Sequence, residues 1–159
     1  MGSQSKIILA YIAGFLDGDG SLMLQIKKRK DGRSKIRFMA TICFYQDSRH
    51  DVPLAWIRKM LGIGYLCKRN DGMTELRING FTQVRDILKD LLPFIRFKEK
   101  QAKALYCACT LLGKKNLRTL SDQERKKLIA EIVCIQENNY ATKHKRTAKE
   151  LLTILDLTP

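Results

Sequence analysis

The chain reads as an α+β protein, with one antiparallel sheet carrying helices on one face, and three features of its 159 residues say so. Two stretches alternate apolar and polar side chains on a period of two and turn around Asp-Gly, the mark of β-hairpins. A helical apolar run precedes each hairpin, giving the order helix, hairpin, helix, hairpin. Capping signals then open further helices, so the sheet has one covered face and one open face.

The first helix is carried by Ile8, Tyr11, Ile12, Phe15 and Leu16, while Ala10, Gly14 and Gly18 recur every four residues on one face. Small side chains let two backbones approach closely, a device described for membrane helices whose steric reason holds in water too. This face is therefore expected to meet a second helix. Gly18 and Gly20 are expected to stop the helix, which puts Asp17 and Asp19 at its C-terminal end, where the macrodipole disfavours carboxylates. A divalent cation held by carboxylate and carbonyl oxygens resolves that conflict. On spacing alone a solvated Asp-Gly turn is the preferred reading.

Residues 21 to 30 and 34 to 45 read as strands joined around Lys30-Asp31-Gly32-Arg33. Leu22, Leu24 and Ile26 fall on one face, as do Ile36, Phe38, Ala40, Ile42 and Phe44 on the partner strand. Pro53 begins a helix to about Leu61. The second hairpin pairs residues 64 to 69 with 74 to 79 around Asn70-Asp71-Gly72, and its outward set is Tyr65, Cys67, Arg69, Glu75, Arg77 and Asn79. Thr82 is expected to cap a helix ended by Pro93, a long helix spans about Lys98 to Leu112, and Ser121-x-x-Glu124 and Thr147-x-x-Glu150 are capping boxes. Trp56, Cys107 and Cys109 lie on helical segments and are expected in the core.

Composition narrows the partners. Thirty Lys and Arg against sixteen Asp and Glu leave a formal charge of +14, which points to a polyanion that releases counterions on binding. No apolar run approaches the roughly 18 to 20 residues of a membrane span, and no secretory signal is visible. The five cysteines, Cys43, Cys67, Cys107, Cys109 and Cys134, lie mostly in apolar segments, as expected of reduced thiols in an intracellular protein, cytoplasmic or organellar. They form no C-x-x-C pair, and His50 and His144 stand apart from them, which argues against zinc.

The open face of the sheet is basic. Between residues 27 and 37 seven side chains are basic and only Asp31 is acidic. A solvated loop is one reading of that run. The outward alternation continues it into both strands, which favours a surface that reads something. A strand of about ten residues spans about 33 Å, so a ribbon laid along a DNA groove follows roughly nine or ten base pairs. Gln25, Lys27, Arg29, Arg37, Arg69 and Arg77 have the chemistry that reads base edges in the major groove. Met23, Arg33, Lys35, Met39, Cys43, Cys67 and Glu75 belong to the same candidate surface. Lys143, Lys145, Arg146 and Lys149 either grip phosphate or form a solvated helix start.

On these residues the chain resembles the LAGLIDADG homing endonucleases of the single-motif kind. Ile12-Ala13-Gly14-Phe15-Leu16-Asp17-Gly18-Asp19-Gly20 matches the signature, Tyr45-Gln46 and residues 93 to 102 extend the match, and the element order is the same. The resemblance implies an αββαββα fold with a saddle-shaped sheet, in one domain over residues 1–159 with its core at about 6–112 and C-terminal helices at about 113–159. It implies an intron-encoded, site-specific endonuclease that cuts double-stranded DNA at a long pseudo-palindromic site and leaves short 3′ overhangs. It also implies a homodimer packed through Ala10, Ala13, Gly14, Asp17 and Gly18. Asp19 and the carbonyl of Gly18 are then the ligands of Mg²⁺, for which Mn²⁺ substitutes, and Gln46 and Lys98 join Asp19 around the attacking water. Asp17 reads as a brace at the helix end, and Arg49 or His50 as a further neighbour of the pocket.

Without the resemblance Gln46 reads as a strand end and Lys98 as a surface lysine. The alternative function for such a chain is a non-cleaving nucleic-acid binder, an intron RNA maturase or a transcription regulator. Such a protein can dispense with Asp19, and its presence favours the enzyme. A Ca²⁺ loop starting at Asp17 fails, because Leu22 and Lys28 stand where glycine and glutamate are required.

Overall fold

The computed structural model of the chain describes residues 5–28, 36–139 and 143–157. The first helix, α1, runs over Lys6–Asp19, and the Ser5 hydroxyl caps it by accepting the Ile8 N–H. It leads directly into the hairpin β1 (Gly20–Lys28) and β2 (Ile36–Asp47). Helix α2 (Val52–Leu61) follows, then the hairpin β3 (Tyr65–Lys68) and β4 (Met73–Asn79), then α3 (Phe81–Leu91) and α4 (Glu99–Leu112). Two helices close the chain, α5 (Asp122–Asn138) and α6 (Ala148–Ile154), and both capping boxes form as the sequence predicts.

The sheet is antiparallel with strand order β1-β2-β4-β3, so the long β2 is central and the first and third strands are edges. Register decides the faces. Leu22 faces Ile42, Leu24 faces Ala40 and Ile26 faces Phe38, so apolar side chains gather on one side. Those side chains join Ile12 and Leu16 of α1, Leu54 and Ile57 of α2, Val84, Ile87 and Leu88 of α3, and Leu105 of α4 in one cluster. The same cluster continues into Leu128, Ile132 and Ile135 of α5 and Leu151 of α6. The predicted α+β class, with helices against one face of an antiparallel sheet, is therefore borne out.

Three local expectations change. Helix α1 continues through Gly18 and stops at Gly20, which is extended (φ −117°, ψ 169°) rather than left-handed. A Cβ at Gly20 would lie 2.7 Å from the Leu16 carbonyl oxygen, so this glycine is needed for close approach. Helix α3 begins at Phe81 after Gly80 (φ 107°), and Thr82 lies inside its first turn instead of capping it. Trp56 is 37 % exposed, its ring edge-on to Tyr11 at 5.5 Å, so it belongs to the surface beside α1. Cys109 is buried as expected and Cys107 is half-buried.

Candidate active site

The two carboxylates at the end of α1 part company, because neighbouring residues on a helix project about 100° apart and these are two positions apart. Asp17 turns inward and is buried. One of its oxygens accepts the N–H groups of Arg96 (2.6 Å) and Phe97 (3.2 Å), and the other accepts the Lys98 N–H (3.0 Å). The Lys98 ammonium donates to the Asp17 backbone carbonyl. Asp19 turns outward, is exposed, and lines a cavity of about 490 Å³ together with Gly18, Ser21, Tyr45, Arg69 and Lys98. Burial pushes the Lys98 ammonium below its ordinary pKa, while Asp17 and Asp19 partly oppose that by favouring its charge.

Tyr45 brings the sheet into this cavity. Its hydroxyl lies 3.1 Å from the Ser21 hydroxyl, and the Arg69 guanidinium sits 5.9 Å from its ring centroid. Burial raises the phenol's pKa, and its hydrogen bond with Ser21 lowers it in part. Neither Tyr45 nor Arg69 was expected here from sequence; the outward parity of both positions was the available signal.

Gln46 is not among the residues lining this cavity. It pairs with Thr74 at the end of β2, and its side-chain oxygen accepts the Asp47 N–H at 2.9 Å. Arg49 is likewise committed elsewhere, in a bidentate pair with Asp47 that holds that carboxyl well below the usual range. His50 is exposed and does not line the cavity.

The open face of the sheet carries most of the candidate readers. Lys27 and Arg37 are exposed and paired in register, and Met23, Gln25 and Met39 are half-buried alongside them. Tyr65, Cys67 and Arg69 are exposed at the other edge. Thr41 donates to Asn79, whose amide donates to the Tyr65 hydroxyl, tying three strands together by side chains. Arg29, Arg33 and Lys35 lie outside the described residues.

Two candidates need correction as surface groups. Cys43 is fully buried and Glu75 is 5 % exposed, because Tyr45, Arg69 and Arg77 lie over the middle of the face. Glu75 pairs with Arg77 at 2.9 Å and more loosely with Arg69 at 3.8 Å, so it orients two guanidinium groups from below. Burial raises the Cys43 thiol's pKa. The seam also needs correction: Ala13 and Asp17 face the chain's own core, whereas Ala10, Gly14 and Gly18 are exposed. Ile7 (83 % exposed) and Tyr11 (57 %) complete that outward stripe.

The helix-end acid, the buried lysine and the basic open sheet form one arrangement, and residues 12–111 match the model of the LAGLIDADG endonucleases. The chain belongs to that family. DNA endonuclease I-CvuI of Chlorella vulgaris is 38% identical over 100 residues, 63% of this chain and 62% of that protein. DNA endonuclease I-CreI of Chlamydomonas reinhardtii is 31% identical over 98 residues, 62% of this chain and 60% of that protein. The chain thus matches about three fifths of the length of these relatives. In three dimensions the likeness extends further. I-CvuI in complex with the I-CreI target in 2 mM Mg, its DNA not cleaved, superposes with a TM-score of 0.77 at 27% identity, covering 97% of this chain and 98% of that one. I-CvuI with its own target in 2 mM Ca gives a TM-score of 0.78 at 26% identity, over the same shares of the two chains.

The donor set fits a hard divalent cation in part. The Asp19 carboxylate is exposed, and the last carbonyls of α1 have no partner within the helix, that of Asp17 being taken by Lys98. No group of three or more His, Cys, Asp or Glu side chains gathers anywhere among the described residues. One chain therefore offers an open oxygen site, not a cage, and the remaining ligands must come from water, substrate or a second chain. No helix among the described residues is long and apolar enough to cross a membrane.

Proposed function

We propose that this LAGLIDADG protein is a site-specific endonuclease that hydrolyses both strands of a long, pseudo-palindromic DNA site, acting as a homodimer with Mg²⁺, or Mn²⁺ in its place. The observation that carries the reading is the cavity in which Asp19 and Lys98 meet, opening beside a sheet face that bears Lys27, Arg37 and Arg69. The names of the relatives and the DNA in their complexes support it. The continuous core supports reading residues 1–159 as one domain, and the five free cysteines support a reducing, intracellular setting.

Hydrolysis forms a bond from a water oxygen to phosphorus and breaks the bond to the leaving oxygen, which takes up a proton. Asp19 and the Gly18 carbonyl would hold the cation, which when bound would supply charge neutralisation at the phosphate and a more acidic water. Lys98 directs its ammonium into the same space and stabilises the charge that develops on the phosphate. Arg69, set over Tyr45, reaches the cavity from the sheet and joins base-reading to the cleavage site. Gln46 acts on the attacking water only after its side chain releases the Asp47 N–H.

The exposed stripe Ile7, Ala10, Tyr11, Gly14 and Gly18 gives two copies a two-fold contact that brings two Asp19 residues close to the axis, one for each strand. Incubation with a randomised DNA library, with Mg²⁺ and with chelator, tests the whole reading. Recovery of a palindrome-like site of roughly twenty base pairs, about two ribbon lengths, cut with short 3′ ends only when metal is present, is the expected result. Binding without cleavage under every metal tried contradicts it and favours the maturase or regulator.

A further inference from the structure

Asp17 is tightly held and is not among the residues that line the Asp19 cavity. It is 7 % exposed and receives three backbone N–H groups from residues about eighty positions away. The two ends of Lys98 are both fixed to this residue: its N–H to the carboxylate and its ammonium to the carbonyl. We propose that Asp17 is a positioning residue for catalysis, holding the Lys98 ammonium beside Asp19 so that its loss slows cleavage without weakening DNA binding.

The physical basis is a meeting of two helix ends. A carboxylate at the C-terminus of α1 is disfavoured by that helix's dipole, but Asp17 also lies just ahead of α4, where the positive end of that helix's dipole favours it and the N–H groups of the N-cap residue Lys98 and of the two residues before it are its donors. Arg96, Phe97 and Lys98 are the three residues that lead into α4, so the carboxylate organises the turn on which Lys98 sits. A lysine stem left to itself samples many rotamers. Here the α1 carbonyl and the buried surroundings select one, which keeps the ammonium within electrostatic reach of Asp19, whose cavity Lys98 lines. A purely structural role for Asp17, joining α1 to α4, makes a different forecast: general loss of stability and of DNA binding together.

The proposal rests on the endonuclease reading, and the experiment separates the two. Single-turnover cleavage and DNA affinity in Ca²⁺ are measured for the full chain, Asp17→Asn, Lys98→Ala and the double variant. We expect Asp17→Asn to cut on the order of ten- to a hundredfold more slowly, as misplacement of a reacting group does, with affinity within about threefold. In the Lys98→Ala background the same change should cost less than about twofold, because groups that act as one unit are not additive. Losses that multiply in the double variant, or equal losses of rate and affinity, overturn the proposal. Asp17→Glu keeps the charge but moves it by one methylene and replaces Asn if that variant does not fold. Independently of cleavage, acylation followed by mass spectrometry should find Lys98 protected in the native chain and labelled in Asp17→Asn. Equal protection in both overturns the positioning role, and a native chain that labels as expected but never cuts DNA overturns the endonuclease reading instead.

Discussion

Asp17, Asp19 and Gly20 show how much one position matters at the end of a helix. The pattern of acids and glycines is plain in the sequence, yet the division of labour between the two acids is not, because the donors to Asp17 come from Arg96, Phe97 and Lys98 at the far side of the sequence. For the same reason Gln46 was legible only as a matching letter: its side chain bonds its own neighbour, a choice that depends on local geometry. Cys43 and Glu75 were placed on the correct face by parity, but parity does not say which outward residues their neighbours cover. At Gly20 a methyl group would press on Leu16, so Gly20→Ala should destabilise the fold by about 1–3 kcal/mol in denaturant titration. An unchanged midpoint would mean that the close approach relaxes without strain. Thiol labelling should find Cys67 first, since it is exposed, and Cys109 last, since burial pushes its pKa up to about 12. Prompt labelling of Cys109 in the folded protein would contradict its place in the core.

Among the elements, α1 carries two jobs on two faces. Ile12, Ala13 and Leu16 fill the core, whereas space around Gly14 and Gly18 is open, with nothing within 4 Å of an added Cβ. The small-residue repeat Ala10, Gly14 and Gly18 is readable in the sequence, whereas Ala13 joins the seam only through the family resemblance, and the structure turns it into the core. Gly14→Leu should therefore shift sedimentation from dimer to monomer and remove the dependence of the melting temperature on protein concentration, without straining the monomer, since the space is open and leucine favours helix over glycine. A variant that stays dimeric would remove α1 from the interface. The two C-terminal capping boxes were fully legible from Ser121, Glu124, Thr147 and Glu150, because their signal lies within four residues. Glu124 is held below its ordinary pKa of 4.5 by Lys115 and by the Ser121 N–H. A depressed carboxylate stabilises fully above its unfolded pKa and loses that contribution as pH falls through the lower folded value. The difference in melting temperature between the native chain and Glu124→Gln, which keeps the box but loses the charge beside Lys115, should thus be present at neutral pH and vanish on acidification; a difference constant with pH would exclude that charge as its source.

At the scale of the whole molecule, the αββαββα order followed from two periods, 3.6 and 2, and from turn chemistry, all of which are local. The strand order β1-β2-β4-β3 brings the tip of α1, the end of β2 and the turn before α4 to one place, a convergence no local pattern encodes. With a formal charge of +14 and a basic sheet, DNA affinity should fall steeply with salt, on the order of a thousandfold or more between 50 and 200 mM if six or more phosphates are neutralised. A shallow slope would place the DNA away from the sheet. In the proposed function it is Asp19 that separates a metal-dependent nuclease from a non-cleaving binder. Asp19→Asn, assayed on the selected DNA site for cleavage in Mg²⁺ and for affinity in Ca²⁺, tests it most directly. Cleavage should disappear while affinity stays within a few fold; cutting that persists in Asp19→Asn would remove Asp19 from the metal site.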